Sequence, residues 1–372
     1  MKIPAAKICF PEEDRQQILQ SISEILESGQ LTLGKHGRQF ERAFAEYVGT
    51  QYAIAVNSGT SALEIILRAL NIKGSSVVVP TNTFIATPAA VLHAGGDVLF
   101  ADVDDSLCLS LKNLKTVLRD DTRAIMLVHI GGAIAPQTEE IRQFCADQGL
   151  YLIEDAAHAH GSSLNGKMAG AFGIAAGFSF YPTKVMTSAE GGMITTDDES
   201  IYKRALILRD QGKAGFLGNI HTDIGYNWRM SEVHAAIGLS QFNRLEEFVM
   251  SRRNAARAYD RGLAHVKGLS VVPIPPKSSS NYYKYVALLD EGFDRAAIKS
   301  ELRDGFDISL SGEVYELPCH LQPIFRKTHG FLGGEFPVAE ELCQRHICLP
   351  IFATMKDQEV DYVVSALKEV LS

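Results

Sequence analysis

The sequence has no long hydrophobic run. No uninterrupted apolar stretch approaches the roughly 18 residues that a membrane-spanning helix needs. The amino-terminal segment, MKIPAAKICFPEEDRQQ, also lacks the apolar core of a secretory signal. We therefore expect a protein with no membrane partner, located in the cytoplasm.

Cysteine is scarce, and no two cysteines form a Cys-x-x-Cys pair. The six cysteines are Cys9, Cys108, Cys145, Cys319, Cys343 and Cys348. In a chain of 372 residues, such scattered cysteines are typical of reduced, mostly buried thiols. We therefore expect no disulfide framework and no metal site.

An excess of basic residues is also missing. The chain has 36 Lys and Arg against 44 Asp and Glu, which gives a formal net charge of −8. Nucleic-acid binding depends on a basic face that attracts phosphates, so this balance argues against a nucleic-acid partner. With 46% hydrophobic and 22% charged residues, the composition is that of an ordinary globular protein, and its length allows two or three domains.

Between about residues 50 and 210, short β-rich runs alternate with helical patterns. Examples are QYAIAVNSG before TSALEIILRAL, and RAIMLVHIGG before TEEIRQFCADQG. Strands that are apolar on both faces and alternate with helices indicate a mainly parallel sheet covered on both sides. We therefore predict an α/β fold, in which a large domain over residues 1–245 includes an N-terminal amphipathic helix. A smaller α+β domain is predicted over residues 246–372.

One polar turn follows the first predicted strand, at the edge where open parallel sheets bind ligands. In NSGTSAL, Ser58 is expected to cap a helix, with the N–H groups of Gly59, Thr60 and Ser61 facing outward. A helix N-terminus with small hydroxyl residues suits a phosphate, although an ordinary capped helix has the same pattern. The GxxxxGK[ST] phosphate-binding pattern is absent from the sequence.

Two further side chains lie at predicted strand ends. Asp155 follows an apolar strand in YLIEDAAHAHG, so its carboxylate could pair with a cofactor ring nitrogen or cap the next turn. Phe84, in PTNTFIAT, could stack on a planar ring or belong to the hydrophobic core. Neither residue decides between these roles by itself.

The most unusual feature is a lysine in the segment GFSFYPTKVMTSAEGGMITTDDE, residues 177–199. Lys184 follows a Pro-Thr turn, with Ser179 on one side and a Glu-Gly-Gly on the other. Since strands are predicted before and after it, the turn places the amine at the mouth of a cleft. A nucleophilic lysine must be held near a ligand and kept partly unprotonated, whereas a surface lysine needs no such setting.

Taken together, these groups fit one ligand. A helix N-terminus with Ser179 suits a phosphate, and Phe84 suits a planar ring. Asp155 suits a pyridine nitrogen, and the amine of Lys184 suits an aldehyde. Pyridoxal 5′-phosphate presents all four of these chemical groups. The sequence therefore predicts this cofactor. Asn227, in GYNWRMSE just before a predicted helix, would in isolation be a turn asparagine.

Almost end to end, the sequence resembles the DegT/DnrJ/EryC1/StrS family of sugar aminotransferases, which are fold-type-I pyridoxal-phosphate enzymes. The matching segments are LESGQLTLGKHGRQFERAFAEYVG, AVNSGTSAL, EDAAHAHGS, FSFYPTKVMTSAEGGMITTDD, GYNWRMSEVHAA, LPCHLQPIF and FPVAEELCQRHICLP. The resemblance implies a homodimer in which each active site is completed by the neighbouring subunit.

The resemblance also implies roles for the residues around the cofactor ring. Lys184 would form the Schiff base with the cofactor, Asp155 would bind the pyridine nitrogen, and Phe84 would stack on the ring. His158 stands where the family usually has Gln, near the ring oxygen. A histidine there can still donate a hydrogen bond, but its charge could change with pH.

For the phosphate and the substrate, the implied residues lie in several segments. The phosphate would be held by Gly59, Thr60, Ser61 and Ser179. Asn227 would reach the phosphate bound by the neighbouring subunit. Tyr315 and His320 occur in a late segment where family members often contact the substrate.

The implied activity is a ping-pong transamination from glutamate or glutamine to a keto-sugar in amino-sugar biosynthesis, with the sugar expected to be nucleotide-linked. Val185 replaces an Asn that is common in the nucleotide-sugar enzymes, so a keto-cyclitol or an aminoshikimate-type ring is an alternative acceptor. A non-catalytic regulator that binds the cofactor is another, although the acidic charge disfavours it. A lyase or racemase is a third option. Dehydratases of the family carry His at the lysine position, so Lys184 argues against that activity.

Overall fold

We describe the protein from a computed structural model, which covers residues 1–215, 219–312 and 314–372. Strands and helices alternate through its first part. The elements there are α1 (Glu12–Ser28), α2 (Lys35–Val48), β1 (Tyr52–Val56), α3 (Gly59–Ala69), β2 (Ser76–Pro80), α4 (Ala86–His93), β3 (Asp97–Ala101), α5 (Leu111–Val117), β4 (Thr122–Val128), α6 (Thr138–Gln148) and β5 (Tyr151–Asp155). The predicted N-terminal helix is α1, and it ends at Gly29, whose φ of 68° suits a glycine.

The remaining elements continue the chain to its last residues. They are β6 (Ser163–Leu164), β7 (Lys167–Met168), β8 (Ala175–Ser179), β9 (Gly192–Thr196), α7 (Glu199–Arg209), α8 (Glu232–Asn243), α9 (Leu245–Leu263), β10 (Leu269–Val271), β11 (Ser278–Ser279), β12 (Tyr285–Leu289), α10 (Arg295–Phe306), α11 (Pro323–His329), α12 (Pro337–Arg345), β13 (His346–Leu349) and α13 (Asp357–Val370). Among the described residues, none of these helices combines the length and apolarity required to cross a membrane.

Seven strands form the central sheet, in the order β1-β9-β8-β5-β4-β2-β3. Strand β9 runs antiparallel to β1 and β8, and the other neighbouring pairs are parallel. The prediction of a mainly parallel sheet is therefore confirmed. Parallel neighbours need long crossover connections, and helices provide them here. Helix α4 connects β2 to β3, and helix α6 connects β4 to β5.

Hydrophobic cores lie on both faces of this sheet, which explains why its strands are apolar throughout. In β2, Val77 and Val79 pack into one core with Ile65 of α3, while Val78 packs into another core with Ile141 of α6. All five side chains are fully buried. The alternation of successive side chains across the strand therefore supplies both cores from one short run.

The C-terminal part builds a second sheet with a core of its own. Its strands run in the order β10-β12-β13, all antiparallel, against helices that contribute Tyr259, Leu302 and Val363. Ile3 belongs to this core as well, and its N–H donates to the carbonyl of Asp307 at 2.9 Å. The domain boundary after residue 245 stays a prediction, at a point where α9 begins.

Candidate active site

Lys184 lies in the turn between β8 and β9. The turn is closed by backbone hydrogen bonds, among them Lys184 N–H to Tyr181 O at 2.9 Å. The next two side chains, Val185 and Met186, are buried in the core beneath the sheet edge. Because they anchor the turn, the amine of Lys184 is held at one place on the carboxyl-end edge of the sheet, as its sequence setting predicted.

A cavity of about 660 Å³ opens at this edge. Its lining includes eight of the residues predicted from the sequence. They are Gly59, Thr60, Phe84, Asp155, His158, Ser179, Lys184 and Tyr315. The fold thus brings residues that are distant in sequence around one space, whose volume is in the range of small-molecule sites.

Asp155, the last residue of β5, is buried and held by two hydrogen bonds. Its Oδ2 accepts from the Thr87 hydroxyl at 2.7 Å, and its Oδ1 accepts from the N–H of Ala157 at 3.1 Å. The preceding residue, Glu154, faces the opposite side of the strand and accepts from the N–H groups of the loop before β8. Because side chains alternate along the strand, the carboxylate of Asp155 faces the cavity, whereas the carboxylate of Glu154 binds the backbone of the loop before β8.

The amine of Lys184 has a lowered pKa. Burial lowers its pKa from the ordinary 10.5 to about 8, the charge of Asp155 opposes this shift, and the charge of Lys284 adds to it. A group with a pKa near 8 has a useful neutral fraction at physiological pH, which a solvent-exposed lysine lacks. A nucleophilic lysine needs such a neutral fraction, so the role predicted for Lys184 stays a prediction that this pKa is compatible with.

His158 remains neutral. Burial, followed by the charge of Lys184, lowers its pKa well below the ordinary value of 6.5. Its ring centroid lies 4.4 Å from that of Tyr283 and 6.2 Å from that of Tyr315, and its Nδ1 has no hydrogen-bond partner among the described residues. A histidine with so low a pKa carries no charge near pH 7, and its unsatisfied buried ring nitrogen points to a ligand.

The N-terminus of α3 meets β8 closely. A Cβ atom at Gly59 would lie 2.8 Å from Cβ of Ser179, so only glycine fits there. Ser58 caps the helix, and its Oγ accepts from the N–H of Ser61 at 3.1 Å. Ser61 is buried, and its hydroxyl donates to Asn57 Oδ1 at 2.7 Å. The N–H of Ser61 is therefore used inside the cap, contrary to the expectation that it faces outward. Gly59, Thr60 and Ser179 line the cavity.

Asn227 and His320 lie outside this cavity. Asn227 is exposed, and its backbone carbonyl accepts from Asn57 Nδ2 at 3.4 Å. His320 is buried, with Nδ1 2.6 Å from the Thr81 hydroxyl and Nε2 3.0 Å from Glu340 Oε1. His320 thus braces the late segment, while its predicted neighbour Tyr315 faces the cavity.

The structure adds lining residues that the sequence reasoning missed. The most important are Tyr283 and Lys284, which come from the segment just before β12. The Tyr283 ring centroid is 5.0 Å from Lys184 Nζ, and its hydroxyl is 3.2 Å from that of Thr183. The aromatic cluster in NYYKY was a possible signal, because it follows a loop, but its distance along the chain gave no reason to pair it with Lys184.

The residues present fit pyridoxal 5′-phosphate in each chemical part. A helix N-terminus with hydroxyl groups matches the phosphate, and a fixed carboxylate matches a protonated pyridine nitrogen. An amine of lowered pKa matches the aldehyde, and His158, which lines the same cavity, has an unsatisfied ring nitrogen.

Comparison with known proteins also indicates an aminotransferase. Residues 12–368 match the model of the DegT/DnrJ/EryC1/StrS aminotransferase family. GDP-perosamine synthase of Escherichia coli O157:H7 is 33% identical, over 94% of this chain and 94% of its own length. The crystal structure of S. venezuelae DesV in complex with a ketimine intermediate has a TM-score of 0.92 at 29% identity, covering 99% of this chain and 98% of that one. The structure of NtdA from Bacillus subtilis with bound cofactor PMP has a TM-score of 0.90 at 26% identity, covering 97% and 83%.

Proposed function

Because the chain belongs to the DegT/DnrJ/EryC1/StrS aminotransferase family, we propose that this pyridoxal-phosphate-dependent enzyme transfers an amino group from glutamate or glutamine to a nucleotide-linked keto-sugar. The observation that carries the proposal is the position of Lys184, whose amine has a pKa of about 8 and faces a cavity shared with Asp155. The family, the fold class and the cofactor class predicted from the sequence are confirmed.

We assign the contacts of the cofactor as follows. Lys184 would bind its aldehyde carbon covalently, Asp155 its pyridine nitrogen, and Phe84 one face of its ring. The phosphate would be held by Gly59, Thr60 and Ser179, while Ser61 would stabilise the cap of the helix that carries Gly59 and Thr60. When bound, the cofactor supplies an electron sink for the negative charge that develops at the donor's α-carbon.

The protein residues would control the proton in this reaction. Asp155, held by Thr87, would keep the proton on the pyridine nitrogen through a charge-assisted hydrogen bond. Lys184 would take the proton from the donor's α-carbon and deliver it to the C4′ carbon of the cofactor, which requires an amine with a neutral fraction near pH 7. His158, neutral at that pH, would offer a ring N–H to the cofactor's ring oxygen without adding charge.

The acceptor is proposed to be a sugar because of the named relatives. GDP-perosamine synthase is similar over almost the whole chain. The one sequence difference that suggested a cyclitol, Val185, is buried beneath the turn, outside the lining of the cavity. Its side chain therefore has no direct contact through which to select the acceptor, and it gives little support to a keto-cyclitol.

We also propose that the enzyme is a cytoplasmic homodimer with shared active sites. Asn227 is exposed, and the segment that precedes it contains the exposed apolar residues Ile220 and Ile224, with 70% and 81% of their surface accessible. Strongly exposed apolar side chains in one segment are typical of a subunit interface. A second subunit would bring Asn227 to the phosphate of its neighbour. The proposed location is supported by the six cysteines, which form no disulfide bond with one another.

The acceptor can be tested with the purified enzyme. The cofactor is first converted to its amino form with glutamate or glutamine, and a panel of nucleotide-linked keto-sugars, free keto-sugars and keto-cyclitols is then added. Return of the aldehyde absorption band with the nucleotide-linked sugars supports the proposal. A response to keto-cyclitols alone would overturn the proposed acceptor, and no spectral change with either donor would favour a non-catalytic role.

A further inference from the structure

A second lysine lines the cavity that contains Lys184. This second lysine is Lys284, and its Nζ lies 5.5 Å from the ring centroid of Tyr283. Nζ of Lys184 lies 5.0 Å from the same centroid. The amines of two lysines thus lie near one tyrosine ring at the edge of the cavity. An aromatic face attracts a cation, which favours a charged Lys284 beside this ring.

The position of Lys284 is fixed at both ends of its side chain. Its backbone N–H donates to the carbonyl of Gly131 at 2.9 Å, next to the first residue of β12. Its amine donates to the carbonyl of Gly312 at 3.0 Å. The charge therefore stays at the cavity wall, where it acts on Lys184 through space.

We propose that Lys284 is a positioning residue whose positive charge enlarges the neutral fraction of the Lys184 amine, which is the fraction that accepts a proton. This inference rests on the proposed function, because it concerns the protonation of the lysine assigned to the cofactor. The physical reason is that a nearby like charge disfavours the charged form of an amine. A lysine beside another cation, in a partly desolvated site, is one established way to make an amine nucleophile.

Several other titratable groups face Lys184, and their effects differ in sign. In the cavity they are Asp155, His158, Tyr181, Glu190, Tyr283, Lys284, Tyr315 and Glu316, and behind the turn they are Lys7, Cys9 and Arg252. The pKa of Tyr315 is raised well above its usual value by burial, and the pKa of His158 is lowered by burial, so both are neutral. Burial lowers the pKa of Lys184 most, Asp155 raises it, and Lys284 lowers it further.

The charge of Lys284 acts on a second group in the same space. It contributes to the lowered pKa of His158, after burial and Lys184. Lys284 thus disfavours protonation of both amine and imidazole, while Asp155 remains the anion that favours it at Lys184. A charge that lowers the pKa of two neighbouring groups fits a role in leaving part of the Lys184 population unprotonated, so that its amine can accept a proton.

The direct test measures the protonation of Lys184 in the cofactor-free, full-length chain. Acylation by acetic anhydride between pH 6 and 10 is followed at Lys184 by peptide mass spectrometry, since only the neutral amine reacts. Lys284→Met should raise the midpoint of Lys184 by about 0.5–1 pH unit, and its acylation rate at pH 7 should fall about three- to tenfold. Lys284→Arg should keep the wild-type midpoint because it keeps the charge.

Controls separate an electrostatic effect from damage to the fold. Lys267 is exposed and lies outside the cavity, so Lys267→Met removes one charge elsewhere and should leave the midpoint unchanged. Lys284→Gln provides a second charge-removing variant if Lys284→Met folds poorly. An unchanged midpoint in a folded charge-removing variant would overturn the inference, as would an equal shift in Lys284→Arg.

The holoenzyme gives an independent readout. The pH profile of the glutamate half-reaction should move to higher pH by the same amount in Lys284→Met, with little change in Lys284→Arg. Borohydride fixation of the cofactor is measured in parallel. Fixation at a residue other than Lys184 would overturn the proposed function, whereas normal fixation with an unmoved profile would overturn only the role of Lys284.

Discussion

The hydroxyl of Thr87 donates a hydrogen bond of 2.7 Å to Oδ2 of Asp155. The same hydroxyl lies 2.7 Å from that of Thr83, so a short chain of hydroxyl groups ends at the carboxylate. All three side chains are buried. Asp155 is therefore oriented before any ligand arrives, which is the arrangement expected where a charge must be placed accurately.

Replacement of Thr87 should weaken cofactor binding through Asp155. Thr87→Val keeps the shape of the side chain but removes the donor, so the buried carboxylate loses one of its two hydrogen bonds. A hydrogen bond to a charged group contributes about 1.5–3 kcal/mol, and we expect at least a tenfold loss of cofactor affinity, measured by absorbance titration. Thr87→Ser keeps the hydroxyl and should bind nearly as wild type. Equal affinity in Thr87→Val and wild type would show that this hydrogen bond does not matter for Asp155.

Lys184→Ala should abolish transamination while the fold persists. The amine is the group assigned both to the cofactor and to proton transfer, and the turn that carries it is anchored by Val185 and Met186 instead. Borohydride should no longer fix the cofactor to the chain, although non-covalent binding through Asp155 and the phosphate site should remain. Lys184→Arg is the matched control: it keeps a cation that cannot lose its proton, and it should be equally inactive. Near-normal turnover in either variant would contradict the assignment.

The sequence was sufficient to predict the position of side chains that follow directly from the local pattern of strands and turns. Lys184 stands between two apolar strands, and Asp155 ends a third, so the rule for parallel sheets puts both at one edge. The antiparallel direction of β9 was not predictable in this way, since an apolar run looks the same in either direction. Ser61 illustrates a second limit, because residue spacing does not tell whether an N–H points outward or into its own helix cap.

Long-range contacts were the other part that the sequence did not reveal. Tyr283 reaches Lys184 because the segment before β12 packs against the turn after β8. Nothing in the local pattern of either segment specifies that pairing, which depends on how the C-terminal sheet packs on the central one. His320 was assigned to the substrate by resemblance, whereas its ring nitrogens contact Thr81 and Glu340 inside the protein.

Mixed dimers test whether two subunits build each active site. Asn227→Ala and Lys184→Ala homodimers should each be impaired, the second severely. If Asn227 serves the neighbouring subunit, a heterodimer of the two variants has one site with both lesions and one intact site. Activity should then return to about half of wild type per dimer, by counting independent sites. Differently tagged subunits allow purification of the heterodimer. No recovery in that sample would mean that each chain builds its site alone.

His160 should make the protein sensitive to acid. It is buried against Phe178 and Phe180, with ring centroids 5.4 and 5.6 Å away, and burial followed by the charge of Lys184 lowers its pKa to about 3. An unfolded histidine has a pKa of about 6.5. Below that pH the unfolded chain binds a proton that the folded chain does not, so stability is present above pH 6.5 and is lost as the pH falls toward 3.

The size of this effect follows from the two pKa values. Between pH 7.5 and pH 5.0, His160 should account for a loss of about 2 kcal/mol in the free energy of unfolding of the cofactor-free chain. Urea unfolding followed by circular dichroism at both pH values measures it. His160→Phe keeps an aromatic ring among aromatic neighbours but cannot be protonated. Over this pH interval its free energy of unfolding should therefore fall by about 2 kcal/mol less than that of the wild type. His265 is exposed, and His265→Gln should leave the pH dependence unchanged. An identical loss in His160→Phe and wild type would show that His160 is not protonated on unfolding in this range.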